Sequence, residues 1–158
     1  MQQLEESIQY LQIQQEELLD KADELISVYW AWFTDCNRTI KEQRNAGLTD
    51  ALSGMYAPVI QRKKSGEGIK PYIMWRKFEP SSIRRLNPKF SKAIKPGFDG
   101  GYMTALKKAT WEQERAMSLE VKLNQLRLAV NALQSSIVKM RSVKRKIEKE
   151  TNQQASEV

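Results

Sequence analysis

The chain has no histidine and a single cysteine, Cys36, among its 158 residues. Without imidazole there is no His general base, no His metal ligand and no Ser-His-Asp triad. One cysteine makes neither an internal disulfide nor a zinc site, so a reducing compartment is expected. No run of about 18 apolar residues occurs, so no membrane-spanning helix and no membrane partner are expected. The N-terminal residues are rich in Gln and Glu rather than basic-then-apolar, unlike a signal peptide. A phosphate loop, a G-x-S-x-G elbow and zinc-ligand spacings are also missing. A nuclease whose carboxylates hold Mg²⁺ stays formally open, because that site needs no His. These absences leave the expectation of a soluble, cytoplasmic, non-enzymatic binding protein with no cofactor and no metal.

The formal net charge is +7 and the isoelectric point about 9.5. The charge is unevenly spread. Residues 1–36 hold eight Asp/Glu against Lys21 alone, a balance of −7. Residues 37–108 hold 16 Lys/Arg against five Asp/Glu, a balance of +11, and residues 109–158 add +3. An acidic segment of −7 does not neutralise a middle of +11, so a polyanionic partner is expected.

All five Pro and all seven Gly lie within residues 47–101. On either side, long stretches have nothing to break a helix. Leu4, Ile8, Leu11, Gln15, Leu18, Ala22, Leu25, Tyr29 and Trp32 alternate by four and three, a heptad seam with one polar interruption at Gln15. The helix should run from about residue 3 to about 44. Its apolar face widens over Val28–Phe33, which should meet both a partner helix and the central region. Ala109, Glu112, Ala116, Leu119, Leu123, Leu126, Val130, Leu133, Ile137, Met140, Lys144 and Ile147 repeat the pattern in a second helix. That helix is expected over about 102–150, with residues 151–158 a frayed tail. Thr110 and Gln113 resemble a capping box, but Gly100–Gly101 is the stronger boundary signal. Antiparallel pairing would place Lys144–Lys149 beside Glu5 and Glu6. Each seam could instead drive a homodimer.

Between the helices, Met55–Arg62 and Ile69–Glu79 read as strands, and Lys63–Gly68 supplies the glycines of a hairpin connection. Pro58 and Pro71 point to edge strands or strand starts. A bare hairpin is marginal, so it should lean on the helices or gain a third strand. Residues 81–95 read as mostly extended. The expected fold is therefore mainly α with a small β insertion: two long antiparallel helices, a coiled-coil-like hairpin, carrying a basic β-hairpin and loop region. The segments are 1–46, 47–101, 102–150 and a tail, 151–158, in one structural domain.

The window from Arg62 to Lys95 has a balance of +9. Its candidate phosphate-binding side chains are Arg62, Lys63, Lys64, Lys70, Arg76, Lys77, Arg84, Arg85, Lys89, Lys92 and Lys95. Tyr72, Trp75 and Phe90 are interleaved as candidate stacking rings. A two-stranded ribbon also fits the DNA major groove. Tyr72, Trp75 and Phe78 have a second reading as the small core of the hairpin. Trp30, Trp32 and Trp111 are expected to clamp the hairpin to the helices. The pattern points to a DNA-binding accessory factor. The competing reading is a coiled-coil adaptor that recruits a protein and touches no nucleic acid.

An aromatic-ended helix (Leu25-Ile-Ser-Val-Tyr-Trp-Ala-Trp-Phe33), a basic β segment (Ile73-Met-Trp-Arg-Lys-Phe78) and a long Leu/Arg-rich helix together resemble MobI-type conjugative mobilisation proteins. The resemblance spans most of the chain in layout. It implies an auxiliary role at an origin of transfer, assisting a separate relaxase. A relaxase of the common type needs a His metal cluster with Tyr, so a chain without His would assist nicking rather than perform it by that chemistry.

Overall fold

The computed structural model describes residues 1–66, 68–78 and 91–157. It is mainly helical with a small three-stranded antiparallel sheet. The elements run α1 (Gln2–Asn45), β1 (Tyr56–Ser65), β2 (Gly68–Phe78), β3 (Ser91–Ala93), α2 (Met103–Leu106) and α3 (Gln113–Ser156). No described helix is long and apolar enough to cross a membrane. The chain forms two compact units: residues 1–21 with 126–158, and residues 22–125.

In the first unit, the start of α1 and the end of α3 pair in antiparallel sense. Gln15 Nε2 donates to Gln134 Oε1 at 2.9 Å and to the Val130 carbonyl at 3.3 Å. Lys144 Nζ lies 3.2 Å from Glu5 Oε1, joining the acidic and basic helix ends as the charge pattern requires. The polar break at Gln15 is thus answered by a polar residue opposite, an arrangement that specifies register at the expense of apolar burial.

The seams keep part of the sequence pattern, with Ile8, Gln15, Ala22 and Tyr29 of the first and Ala116, Leu123, Val130 and Ile137 of the second buried as it places them, and depart from it in part. Leu19, Ile26 and Phe33 are buried where the heptad pattern centres Leu18, Leu25 and Trp32, and those three are only half-buried. Neighbouring helix positions lie 100° apart, so a wide apolar face can turn by one residue and stay covered. Val28 is not covered: it is 62% exposed. The second helix also departs from expectation. It is not continuous from residue 102; a single turn, α2, is followed by a break, and α3 begins at Gln113. The break lets Glu112 turn inward, and Gln113 Nε2 closes it by donating to the Lys107 carbonyl at 2.7 Å. The weaker boundary signal, at Thr110–Gln113, marks the true helix start. At the other end α3 persists to Ser156, beyond the expected stop near 150.

In the second unit, β1 and β2 form a hairpin from Tyr56↔Lys77 to Ser65↔Gly68, joined at Gly66, whose φ of +60° suits a two-residue connection. β3 adds Arg76↔Ala93 to Phe78↔Ser91 on the other side. The Phe78 amide donates to the Met55 carbonyl at 2.7 Å. Given this register, pairs such as Ala57–Arg76 and Lys63–Lys70 exchange backbone hydrogen bonds, so the peptide groups of Tyr56 and Pro58 face outward from the edge. Each is capped by a side chain. Tyr29 Oη donates to the Tyr56 carbonyl at 2.7 Å, Trp30 Nε1 donates to the Pro58 carbonyl at 2.7 Å, and Glu112 Oε1 accepts from the Met55 and Tyr56 amides at 3.0 and 3.4 Å. Pro58 has no outward N–H to satisfy, which is why proline is tolerated there. Pro71 sits on the central strand, but β3 pairs only Arg76–Phe78, so its missing donor falls outside that ladder.

The core of this unit is aromatic. Tyr29 meets Trp75 edge-on at 5.5 Å, Trp30 meets Phe78 edge-on at 5.3 Å, and Trp32 meets Trp111 at 5.4 Å. Trp30 therefore clamps the hairpin, while Trp111 holds the approach to it, donating Nε1 to the Leu52 carbonyl at 3.0 Å. Gly54 is required by close approach. A Cβ there would sit 2.7 Å from Phe33 and 2.8 Å from Trp111.

Candidate nucleic-acid interface

The hairpin changes character along its length. From Tyr56 to Pro58 on β1, and over Ile73–Trp75 and Phe78 on β2, side chains are buried on both faces. From Arg62 to Ser65 on β1 every residue is exposed, and Ile69 and Tyr72 on β2 are exposed as well. This far half carries Arg62, Lys63, Lys64 and Lys70.

Because side chains alternate along a strand, the four cations divide between two faces. Lys63 and Lys70 are cross-strand partners on the face of Tyr72. Their Nζ atoms lie 5.3 and 5.0 Å from the centre of the Tyr72 ring. Arg62 and Lys64 occupy the opposite face, with Ile69. Like charges directly opposite one another destabilise a sheet pair. The ring quadrupole attracts each ammonium, offsetting part of that repulsion. The result is two cations held over one exposed aromatic side chain, a geometry suited to an oxyanion of a phosphodiester backbone.

The other candidates fall elsewhere. Lys77 and Lys92 form a second directly opposed lysine pair, on the Arg62 face at the far end of the sheet. Arg76 is half-buried and holds β3: its Nε donates to Ser91 Oγ at 2.6 Å and an Nη donates to the Ser91 carbonyl at 3.1 Å. Lys95 is exposed in the segment after β3. Arg84, Arg85, Lys89 and Phe90 lie outside the described residues. Among the described residues, the expected basic set is therefore spread over both faces of the sheet rather than gathered on one surface. Trp75 offers no stacking surface. It is fully buried, and its Nε1 donates to Glu120 Oε1 at 2.9 Å. Tyr72 is the described stacking candidate with an exposed ring.

Two buried carboxylates that sequence reasoning passes over hold the hairpin's base. Besides the β1 amides, Glu112 accepts from Thr110 Oγ1 at 3.0 Å. Glu120 accepts from Trp75 Nε1 and, through Oε2, from the Tyr102 amide at 2.8 Å. Glu112 stands in the second seam as a polar residue at an apolar position, the one sign of a buried role. Its charge also reaches the phenols nearby. Desolvation first, and Glu112 second, push the Tyr29 hydroxyl far above its ordinary value near 10, with Arg115 opposing; the same two causes raise Tyr56. Among the described residues, no three His, Cys, Asp or Glu side chains gather as metal ligands do.

Comparison with curated proteins and with solved structures finds no match. A family model, that of the MobI protein, matches residues 18–141. That span takes in most of α1, all three strands and most of α3, so the chain belongs to the MobI protein family.

Proposed function

We propose that this protein is a non-catalytic, cytoplasmic accessory factor that binds DNA at a conjugative origin of transfer and assists a separate relaxase. Membership of the MobI family ties the chain to conjugative mobilisation. The DNA-binding element is the far half of the β-hairpin, with the seams of residues 1–21 and 126–158 serving as a coiled-coil frame. The observation that carries the reading is the directly opposed Lys63–Lys70 pair over the exposed Tyr72 ring. A protein selected for stability alone gains nothing from two opposed ammonium groups, and an incoming phosphate relieves their repulsion.

Fluorescence anisotropy with labelled duplex and single-stranded oligonucleotides tests it. Affinity should fall steeply between low and physiological salt. A Lys63→Ala/Lys70→Ala variant should bind more weakly across all sequences, with a salt slope smaller by about 2, one for each cation removed. No binding to either strand form at low salt would overturn the reading and leave the protein-recruiting adaptor in its place.

A further inference from the structure

One apolar side chain stands out from every other in the described surface. Phe98 is fully exposed, at 112% of the reference value for an isolated residue. A bare phenyl ring in water is unfavourable, and in a floppy segment it would fold back onto the protein. Phe98 instead stands on a tightly built turn. The Gly100 amide donates to the Gly97 carbonyl at 2.9 Å, which places Phe98 and Asp99 at the two corners of a β-turn. Gly100 follows in the left-handed region, φ +83°, and the Gly97 amide donates to the Gly101 carbonyl at 2.6 Å. This is the three-residue loop in which a turn is closed by a left-handed glycine. The exposed Asp99 carboxylate accepts from the Gly101 amide at 3.0 Å. Just beyond the turn, the chain is anchored at buried Tyr102, whose amide donates to the buried Glu120.

The surroundings of the turn in the chain are cationic. Lys92 and Lys95 precede it and Lys107 and Lys108 follow, all exposed, with Asp99 the single opposing charge among the described residues 91–108. An exposed aromatic ring on a tight turn, in a lysine-rich stretch of chain, fits a polyanion with apolar layers to enter, and duplex DNA is such a partner. Proteins that kink DNA insert apolar wedges, Phe among them, between base-pair steps while cations hold the adjacent phosphates.

We infer that Phe98 is a wedge that enters a base-pair step and bends the DNA that this protein binds. This rests on the DNA-binding reading above and adds to it a mechanism, deformation of the site. The lysines supply phosphate contact, the turn supplies rigidity, and the phenyl ring supplies the unstacking.

The test is a duplex labelled at both ends for fluorescence energy transfer, titrated with the full chain, with anisotropy read on the same samples. Wild type should shorten the end-to-end distance, as a kink of roughly 20–90° would. Phe98→Ala should remove most of that shortening and weaken binding roughly tenfold, the loss expected when one buried ring is truncated. Phe98→Trp should keep the bend. Because the ring touches solvent rather than core, circular dichroism of the Ala variant should be unchanged, which separates loss of the wedge from loss of the fold. Wild type that binds without bending would overturn the wedge and leave the hairpin reading intact. Equal bending and affinity in wild type and Phe98→Ala would also overturn it. Absence of any binding would overturn both.

Discussion

The two halves of one hairpin obey opposite rules. At its base, each outward backbone group of Tyr56 and Pro58 has a partner from a helix or its approach, and Trp75 and Phe78 are wholly buried. At its tip, like charges face each other across the strands and Tyr72 keeps 36% of its surface exposed. The same ladder of backbone bonds runs through both. What differs is burial: at the base side chains partner the backbone and fill the core, although Lys77 and Lys92 oppose each other there too, and at the tip the cations are exposed or half-buried. On the DNA-binding reading, local conflict of this kind belongs to a functional site and is compensated elsewhere. Here the compensation is the aromatic and carboxylate framework at the base.

Breaking the base should therefore have the largest effect, and it should be an effect on stability. Trp75→Ala removes a fully buried ring that meets Tyr29 at 5.5 Å and leaves Glu120 without its indole donor. The loss should be about 3–5 kcal/mol, read as a fall in urea midpoint. If the tip acts as a separate DNA-binding element, whatever fraction stays folded should bind with wild-type salt dependence. Loss of less than about 1 kcal/mol would show that the base is not the framework described.

A smaller change at the base should appear chiefly in its pH dependence. Tyr29 in the unfolded chain ionises near its ordinary value of 10, whereas burial and Glu112 hold it protonated well above that in the fold. The folded state then binds the proton more tightly, so the stability it contributes is complete below pH 10 and declines as pH rises beyond it. Tyr29→Phe should cost about 0.5–1.5 kcal/mol at neutral pH, because the Tyr56 carbonyl loses its donor. The gap between variant and wild type should narrow in urea titrations at about pH 11 compared with about pH 8. A gap that stays constant would mean that Tyr29 is not held in its neutral form.

Much of this framework is legible in the sequence, for reasons that also explain the rest. The helix around Leu4–Trp32 and the strand around Ile69–Phe78 are visible because period and composition are local properties. The pairing of Gln15 with Gln134 is not, since it depends on which residue of a distant helix lies opposite. The one-residue turn of the seam, from Leu18 to Leu19, has the same cause: a wide apolar face leaves its centre to be decided by the partner. Glu112 shows only as a polar residue within the second seam and Glu120 as an ordinary helix carboxylate, and their burial follows from the amides of Met55, Tyr56 and Tyr102 that only the tertiary fold brings to them. At the candidate site, composition shows that the hairpin is basic. Register decides which lysines face each other, and burial decides that Tyr72 rather than Trp75 keeps an open ring.

The finest test exchanges function for stability within a single pair. Lys70→Glu turns the like-charge pair with Lys63 into an opposite-charge pair in the same register. If the tip carries electrostatic conflict, the variant should be more stable than wild type by about 0.2–1 kcal/mol, while its DNA affinity falls and its salt slope flattens. Lys70→Gln, which removes the repulsion without adding attraction, should lie between them on both scales. The two readouts must move in opposite directions, because the repulsion that weakens the fold is the potential that attracts the phosphate. Should Lys70→Glu lower stability instead, the attraction of the Tyr72 ring for both ammonium groups would outweigh their repulsion. The pair would then be a structural device, and the difference between tip and base would be one of exposure alone.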